Sequence, residues 1–588
     1  MKDKREKLPY IFIALLAVCL AVRAFYGFCQ SDECFYISTA GRFAAGDRVF
    51  IDEWHPTQMS SLITAPIYML YRLFVPDRGG IILFFRLLYV ILCTAEAVFI
   101  YHGASKKQSK GAAVALSCFI MLYCHLNMAT LSYYMLTFHF YILAFLIIYC
   151  RKSDKAYIGG GVCLALAVLS LPSLAVVYAL MMLILLIACI FYREVRKPLL
   201  LFNAGIFIPF VIFIVYLYAS KVGIAGLLAN LVNILSDSEH DRGYVQSFFM
   251  FFDAIKDAFG KIYYLSIVLV MLAVTTQLNA KYRMIIKPYI FLADVILFVY
   301  YLFAAASHTG FTNTAFALFV FPLFFLTERK NWYIFISLFM GGLAVSATYC
   351  FSSFSDLYVL SIGHGISAVG GMVLLDDFMA DSQGMIRYIS WAVLTASLIT
   401  TGILRFTYVY RDAAIDELNA VVTAGPAAGL VTTAEHQRQY EEVLEAVKKY
   451  NNGDRVLFTR ILPWGYIASD MRVAAPDTWR NELSGKRLAD YYDADPKRLP
   501  DVVFVLDAEI GSYETSGDVE ADPAPNENEF TGELAERLAS EYEEHIEPGC
   551  TVYIGSAGLH MVFAKYYRAS LCQFKVLKVR GKNTGMYF

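Results

Sequence analysis

Between Leu8 and Tyr408 the chain is a succession of apolar stretches, each broken by a short polar segment. No other feature constrains the fold as strongly. A helix that crosses a bilayer needs about 20 mostly apolar residues, because lipid offers its backbone no outside hydrogen-bond partner. Such stretches lie near 8–28, 79–104, 111–128, 130–150, 157–172, 173–191, 199–219, 262–280, 286–306, 311–327, 332–350, 357–379 and 387–408, about thirteen expected spans. Only 17% of the 588 residues are charged and 58% are hydrophobic, against about 25% charged in a soluble domain. That balance excludes a soluble enzyme and a disordered chain. A net charge of −2 gives no basic excess for nucleic acid.

The first stretch follows Lys2, Lys4, Arg5 and Lys7. Because further apolar runs continue to about residue 408, it reads as a retained signal-anchor rather than a cleaved signal peptide. The segment 58–75 is apolar too, but charge bookkeeping argues against a span. Leaving it out puts Lys106/Lys107/Lys110, Arg151/Lys152/Lys155, Arg193/Arg196/Lys197, Lys281/Arg283/Lys287 and Arg329/Lys330 on one side, the cytoplasmic side of the N-terminus. The opposite loops, near Asn127, Pro172, His308 and Ser355, carry no Lys or Arg. Segment 58–75 is therefore expected to lie along the outer surface as an interfacial helix, with Tyr68, Tyr71 and Arg72 at its edge.

The expectation is a polytopic α-helical protein of the cell membrane, N-terminus cytoplasmic, with a C-terminal extracytoplasmic α/β domain. Residues 1–410 form the membrane part, with outer regions 29–78 and 220–261, and 411–588 form the soluble part. There, Ala434–Lys449 has helical periodicity, and 455–459 and 502–506 read as buried strands. Residues 512–528 read as an acidic, flexible insertion. No nucleotide loop, nucleophile elbow or Cys/His zinc spacing appears. Cys29 with Cys34, and Cys550 with Cys572, are either disulfides outside the cytoplasm or free thiols.

Chemistry concentrates in the first outer loop. Asp32 and Glu33 follow the first span directly, ahead of an amphipathic stretch, 35–45, expected at the interface. Adjacent carboxylates are costly to desolvate unless paired or used. One is suited to deprotonate an acceptor hydroxyl, the other to orient it or hold a cation; the plain alternative is a solvated acidic loop capping the next helix. Asp47 and Asp52 are expected to be ordinary loop acids. In the run 52–56, Trp54 suits an aromatic belt, His55 can donate to a phosphate and Pro56 ends the loop. Arg86 lies inside an apolar span, where a charge is expensive. It is expected to meet a lipid phosphate or the Asp32/Glu33 pair, or to snorkel; its removal is expected to spare or improve folding. Glu239, His240 and Arg242 sit in the second outer region, as a site cap or a plain charged loop. Glu96, His125, His139 and Asp294, within spans, are expected to bond helix to helix.

The pieces SDECFY, IDEWHPTQ and FRLLYV, in this order after a first span, resemble the GT-C superfamily of polytopic glycosyltransferases. They are most similar to bacterial relatives of the dolichyl-phosphate-mannose protein mannosyltransferases and of the aminoarabinose lipid A transferase. The stretches LNMATLSYYML and LSLPSLAVV are weakly similar to the family's middle spans. The resemblance covers about residues 1–410. It implies a polyprenyl-phosphate sugar donor and a protein, lipid or cell-envelope glycan acceptor. It implies Asp32 as base, Glu33 as its essential neighbour, and Arg86 and His55 at the donor phosphate. No cofactor is required by the sequence, and a divalent metal is left open. Where the lipid A transferase pattern has a basic residue after its Asp-Glu and then Lys-Pro-Pro, this chain has Cys34-Phe35 and His55-Pro56-Thr57, which disfavours lipid A as acceptor. A transporter, which calls for internal repeats and midplane charges, and a sensor or scaffold are the competing classes.

Overall fold

A computed structural model describes residues 2–235, 244–304, 309–328, 330–353, 360–481, 486–506, 540, 542–548 and 550–555. Its helices in chain order are α1 (Lys2–Arg23), α2 (Asp32–Ala44), α3 (Met59–Phe74), α4 (Ile81–Ala104), α5 (Lys110–Leu122), α6 (Tyr133–Arg151), α7 (Asp154–Ser170), α8 (Leu174–Phe191), α9 (Arg196–Ala219), α10 (Gly223–Leu235), α11 (Tyr244–Phe259), α12 (Tyr263–Thr275), α13 (Ala280–Ala304), α14 (Thr309–Leu326), α15 (Trp332–Ile334), α16 (Gly341–Ser353), α17 (Leu360–Ala380), α18 (Gly384–Thr407), α19 (Ala434–Lys449), α20 (Pro463–Ala468) and α21 (Lys486–Ala494). The strands are β1 (Ala420–Val421), β2 (Val431–Thr432), β3 (Arg455–Phe458), β4 (Arg472–Val473), β5 (Val502–Leu506), β6 (Tyr542–Glu547) and β7 (Cys550–Gly555).

The chain forms two compact units that alternate along the sequence. The first comprises Met1–Arg23, Leu88–Val215 and Ser238–Tyr408; the second comprises Ala24–Leu87, Tyr216–Asp237 and Val409–Phe588. A division at residue 410 alone therefore misses that the whole first outer loop, 29–78, belongs to the same unit as the C-terminal part. Sequence composition marks the end of the apolar runs, but not which loops pack together.

Across the described residues, eight helices are long and apolar enough to cross a membrane. Helices α5 and α14 are apolar but shorter. The remaining three expected spans fall on α1, which begins in a run of charges, on α7, and on α17, which carries His364, Asp376 and Asp377. In the first unit α16 and α17 meet through small residues. A Cβ on Gly342 would lie 2.4 Å from the Gly363 carbonyl, and one on Gly363 would lie 2.2 Å from the Ser346 hydroxyl. Gly342-xxx-Ser346 thus faces Gly363-xxx-Ser367, the close backbone approach typical of helices in lipid. By contrast, α8 exposes Leu180, Leu183, Ile187, Ile190 and Phe191, a surface that is stable only against apolar surroundings.

Of the polar residues within the helices, His139 on α6 bonds Glu96 on α4 at 2.6 Å, as expected. His125 differs: both of its buried ring nitrogens lack a partner among the described residues. The same holds for Oδ2 of buried Asp294.

In the second unit, α2 lies on α3 at a contact where a Cβ on Gly41 would be 2.8 Å from the Tyr68 ring. Helix α3 is inverted relative to a soluble helix. It buries Ser60, Ser61, Thr64, Ala65 and Tyr68, and exposes Met69, Leu70, Leu73 and Phe74. That pattern fits the expected lipid contact, with Tyr68 in the core rather than at the edge. Helix α2 departs from expectation. Residues Glu33 to Ala40 are all buried, so this stretch is core and not a surface-lying helix; its hydroxyls Ser38 and Thr39 bond Thr478 instead of water.

The C-terminal part holds a five-stranded sheet in the order β4-β3-β5-β7-β6. Strands β4, β3 and β5 are parallel, and β7 runs antiparallel to β5 and β6. The expected strands and the helix α19 are present, the latter opened by Thr433, whose side chain accepts from His436 N. The acidic run 512–528 lies outside the described residues. The loop before α2 is stitched to β2: Gly27 N donates to Val431 O and Val431 N to Phe25 O, both at 2.8 Å. This pairing brings the Asp-Glu step to residues 410–412, almost 400 positions away.

Candidate active site

The two adjacent acids have different surroundings. Glu33 is 1% exposed. Arg86 grips it with both ends of its fork, Nε to Oε1 and Nη2 to Oε2, each at 2.6 Å. The remaining Arg86 nitrogen donates to the carbonyls of Ala24 at 2.9 Å and Tyr26 at 3.3 Å. Of the partners expected for Arg86, the structure therefore supplies Glu33, and the guanidinium ties α4 to the start of α2. Bidentate pairing satisfies both groups, which is what permits their burial.

Asp32, the first residue of α2, has a side chain 13% exposed. Its Oδ2 accepts from Ser31 Oγ at 3.3 Å and from Tyr410 OH at 3.2 Å, and lies 3.5 Å from Arg411 Nη1. The Arg411 nitrogen also donates to Ser31 Oγ at 2.8 Å. Arg411 is held in the left-handed region at φ 51°, a costly conformation for an arginine that tends to mark function. The anchor is Asp412, fully buried, which accepts from Phe28 N at 2.6 Å, Thr432 Oγ1 at 2.8 Å and His436 Nδ1 at 2.7 Å.

From Arg411 a line of rings leads to His55. The guanidinium lies 5.7 Å from the Trp479 ring centre, Trp479 lies 5.6 Å from Phe35, and Phe35 lies 4.6 Å from His55. Thr57 N donates to His55 Nδ1 at 3.2 Å, which leaves the proton of a neutral ring on Nε2. Cys29 and Cys34 are free thiols. Burial, then the Asp32 charge, pushes Cys29 up to about 12, so it is no nucleophile at neutral pH. Cys550 is free as well; Cys572 lies outside the described residues.

Asp47, Asp52 and Trp54 do not behave as loop residues. Arg42, fully buried, pairs with Asp47 at 2.7 Å and with Glu53 at 3.0 Å, and donates to Tyr491 OH. Asp52 pairs with Arg48 and Arg498. Trp54 is core, edge-on to Tyr491 and bonded to the Ile51 carbonyl, not part of a belt. Burial pushes the Glu53 carboxyl up to about 7, against the opposing pull of Arg42. Glu239, His240 and Arg242 lie outside the described residues. Among those described, no three His, Cys, Asp or Glu side chains gather as metal ligands.

Sequence reasoning missed Tyr410, Arg411, Asp412 and Trp479. The only local signal was an aromatic-basic-acidic step directly after the last apolar run.

No known family matches the chain, and no curated protein matches it. Solved structures similar to it include ArnT from Cupriavidus metallidurans bound to undecaprenyl phosphate, at 11% identity and a TM-score of 0.48, covering 93% of this chain and 98% of that one. The same protein in the apo state gives 11% identity and a TM-score of 0.44, covering 95% and 99%.

Proposed function

We propose that the chain is a membrane glycosyltransferase that moves a sugar from a polyprenyl-phosphate donor to an acceptor hydroxyl at the outer face of the membrane. The observation that carries this reading is the unequal fate of the adjacent acids. Glu33 is locked by Arg86, while Asp32 keeps an open edge beside a cation. In the reaction the acceptor oxygen attacks the anomeric carbon, its proton passes to Asp32, and the bond to the phosphate oxygen breaks. A carboxylate opposite the leaving group is the arrangement of inverting glycosyl chemistry. The departing phosphate needs positive charge. Arg411 is the partly exposed arginine beside Asp32 and takes that role; Arg86 is the positioning residue that fixes Glu33 and the start of α2. His55, at the far end of the aromatic line, is suited to donate from Nε2 to the donor. The N-terminus is cytoplasmic and the sheet-bearing C-terminal part outside, on the pattern of basic loops.

The test is incubation of purified protein with a panel of polyprenyl-phosphate sugars, with chromatographic assay of free polyprenyl phosphate. Release of polyprenyl phosphate from at least one donor is expected. No release and no donor binding across the panel would overturn the reading.

A further inference from the structure

Arg411 stands at φ 51°, and a side-chain-bearing residue persists in that region only where its surroundings over-determine it. The determinant is the next residue. The Asp412 side chain is 0% exposed and is met by donors from four segments. Phe28 N donates at 2.6 Å from the loop before α2, and Ala413 N at 2.8 Å from the same segment. Thr432 Oγ1 donates at 2.8 Å from β2, and His436 Nδ1 lies at 2.7 Å in the first turn of α19. An ionised carboxylate only accepts, so His436 is the donor in the last of these. Its own backbone is fixed by the helix cap, His436 N donating to Thr433 Oγ1 at 3.1 Å.

This acid is paired differently from its neighbours. Glu33, Glu53 and Asp477, the other buried acids described in this unit, each have an arginine. Among the described residues Asp412 has a histidine instead. The imidazole is 21% exposed, so water can replace it and its removal should cost the fold little. Loss of this bond frees the peptide between Arg411 and Asp412. Arg411 can then relax to negative φ, which carries its guanidinium away from Ser31 and Asp32.

We propose that His436 is a positioning residue of the candidate site: through Asp412 it holds Arg411 in the left-handed conformation that keeps the guanidinium beside Asp32. The consequence for sugar transfer rests on the glycosyltransferase reading above; the mechanical link from His436 to Arg411 does not.

The test uses full-length protein in detergent and compares the wild type with His436→Ala, His436→Asn, Arg411→Ala and the double variant Arg411→Ala with His436→Ala. The amide nitrogen of an asparagine stands about where Nδ1 does, so His436→Asn keeps the donor. Transfer from an accepted polyprenyl-phosphate sugar is read as kcat and donor KM. His436→Ala should lower kcat/KM about tenfold, within the roughly 10²-fold that a small misplacement can cost, and should raise the donor KM. His436→Asn should recover most of that loss. The double variant should fall no further than Arg411→Ala, because both changes act on one group. Hydrogen exchange is read on the same proteins, independently of transfer. His436→Ala should speed exchange in 26–31 and 409–413 and leave β3 and β5 protected. Losses that multiply in the double variant, an equal loss in His436→Asn and His436→Ala, or unchanged exchange in 26–31 and 409–413 would overturn the proposal. Absence of transfer in the wild type, with the expected exchange pattern, would remove the glycosyl reading and keep the link between His436 and Arg411.

Discussion

The two units differ in how they treat buried charge. In the second, Glu33, Arg42, Glu53, Arg78, Arg86, Asp412, Asp477 and Arg498 are all buried, and each has an oppositely charged partner or an Asp–His contact within 3.2 Å. In the first, among the described residues, His125 and Asp294 keep unmatched polar atoms and Arg405 has only neutral acceptors. Pairing on the scale of the second unit means that most of its charges are structural. Asp32, 13% exposed and 3.5 Å from Arg411, is held less tightly than its neighbours. In the first unit the buried charged residues among those described are fewer and scattered: Arg23, Glu96, Asp294, Asp376 and Arg405.

The largest expected effect comes from breaking a pair inside the second unit. Arg86→Leu leaves Glu33 buried and alone, and should destabilise the protein by about 3–5 kcal/mol. This reverses the expectation, drawn from sequence, that losing a buried charge spares folding. The double variant Arg86→Leu with Glu33→Leu should recover most of that loss, read as denaturation midpoints in detergent. A stable single variant would mean that the pair is dispensable and the contrast between units false.

Arg411→Ala should act on turnover and not on the fold. Its side chain is partly exposed and Asp412 anchors the segment, so the melting temperature should hold. Sugar transfer should fall about 10²-fold, the worth of one donor facing a developing anion, with a raised donor KM. A loss of stability matching the loss of activity would return Arg411 to the structural majority.

The smallest effect sharpens the contrast by pH. Glu53 is raised from 4.5 to about 7. The folded state thus holds a proton that the unfolded state releases between those values. Stability should fall as pH rises from about 5 to 7, by at most about 1.4 kcal/mol per unit. Glu53→Gln should flatten that slope, measured by chemical denaturation across the range. An unchanged slope would mean that Arg42 keeps Glu53 ionised throughout.

How much of this was legible beforehand follows from the distance over which each feature is written. The apolar runs, α19 and strands β3 and β5 are local patterns of period or composition, and they were readable. So was the Asp32-Glu33 step. The division of labour between those acids was not, because it depends on Arg86 reaching Glu33 from 53 positions away and on Tyr410 reaching Asp32 from 378 positions away. Asp47, Asp52 and Trp54 look like loop residues for the same reason: their partners Arg498 and Tyr491 lie in the C-terminal part, and nothing local announces them.

The central claim is that Asp32 alone among the acids of the first loop takes the acceptor's proton, and one comparison tests it most directly. Asp32→Asn keeps size and hydrogen bonds but cannot accept that proton; Asp77→Asn alters an exposed acid of the same region. Transfer from an accepted polyprenyl-phosphate sugar should be measured for both at matched expression, melting temperature and donor binding. The account predicts a fall of about 10²–10⁴ for Asp32→Asn and near-normal transfer for Asp77→Asn. Equal transfer by the two variants would contradict it.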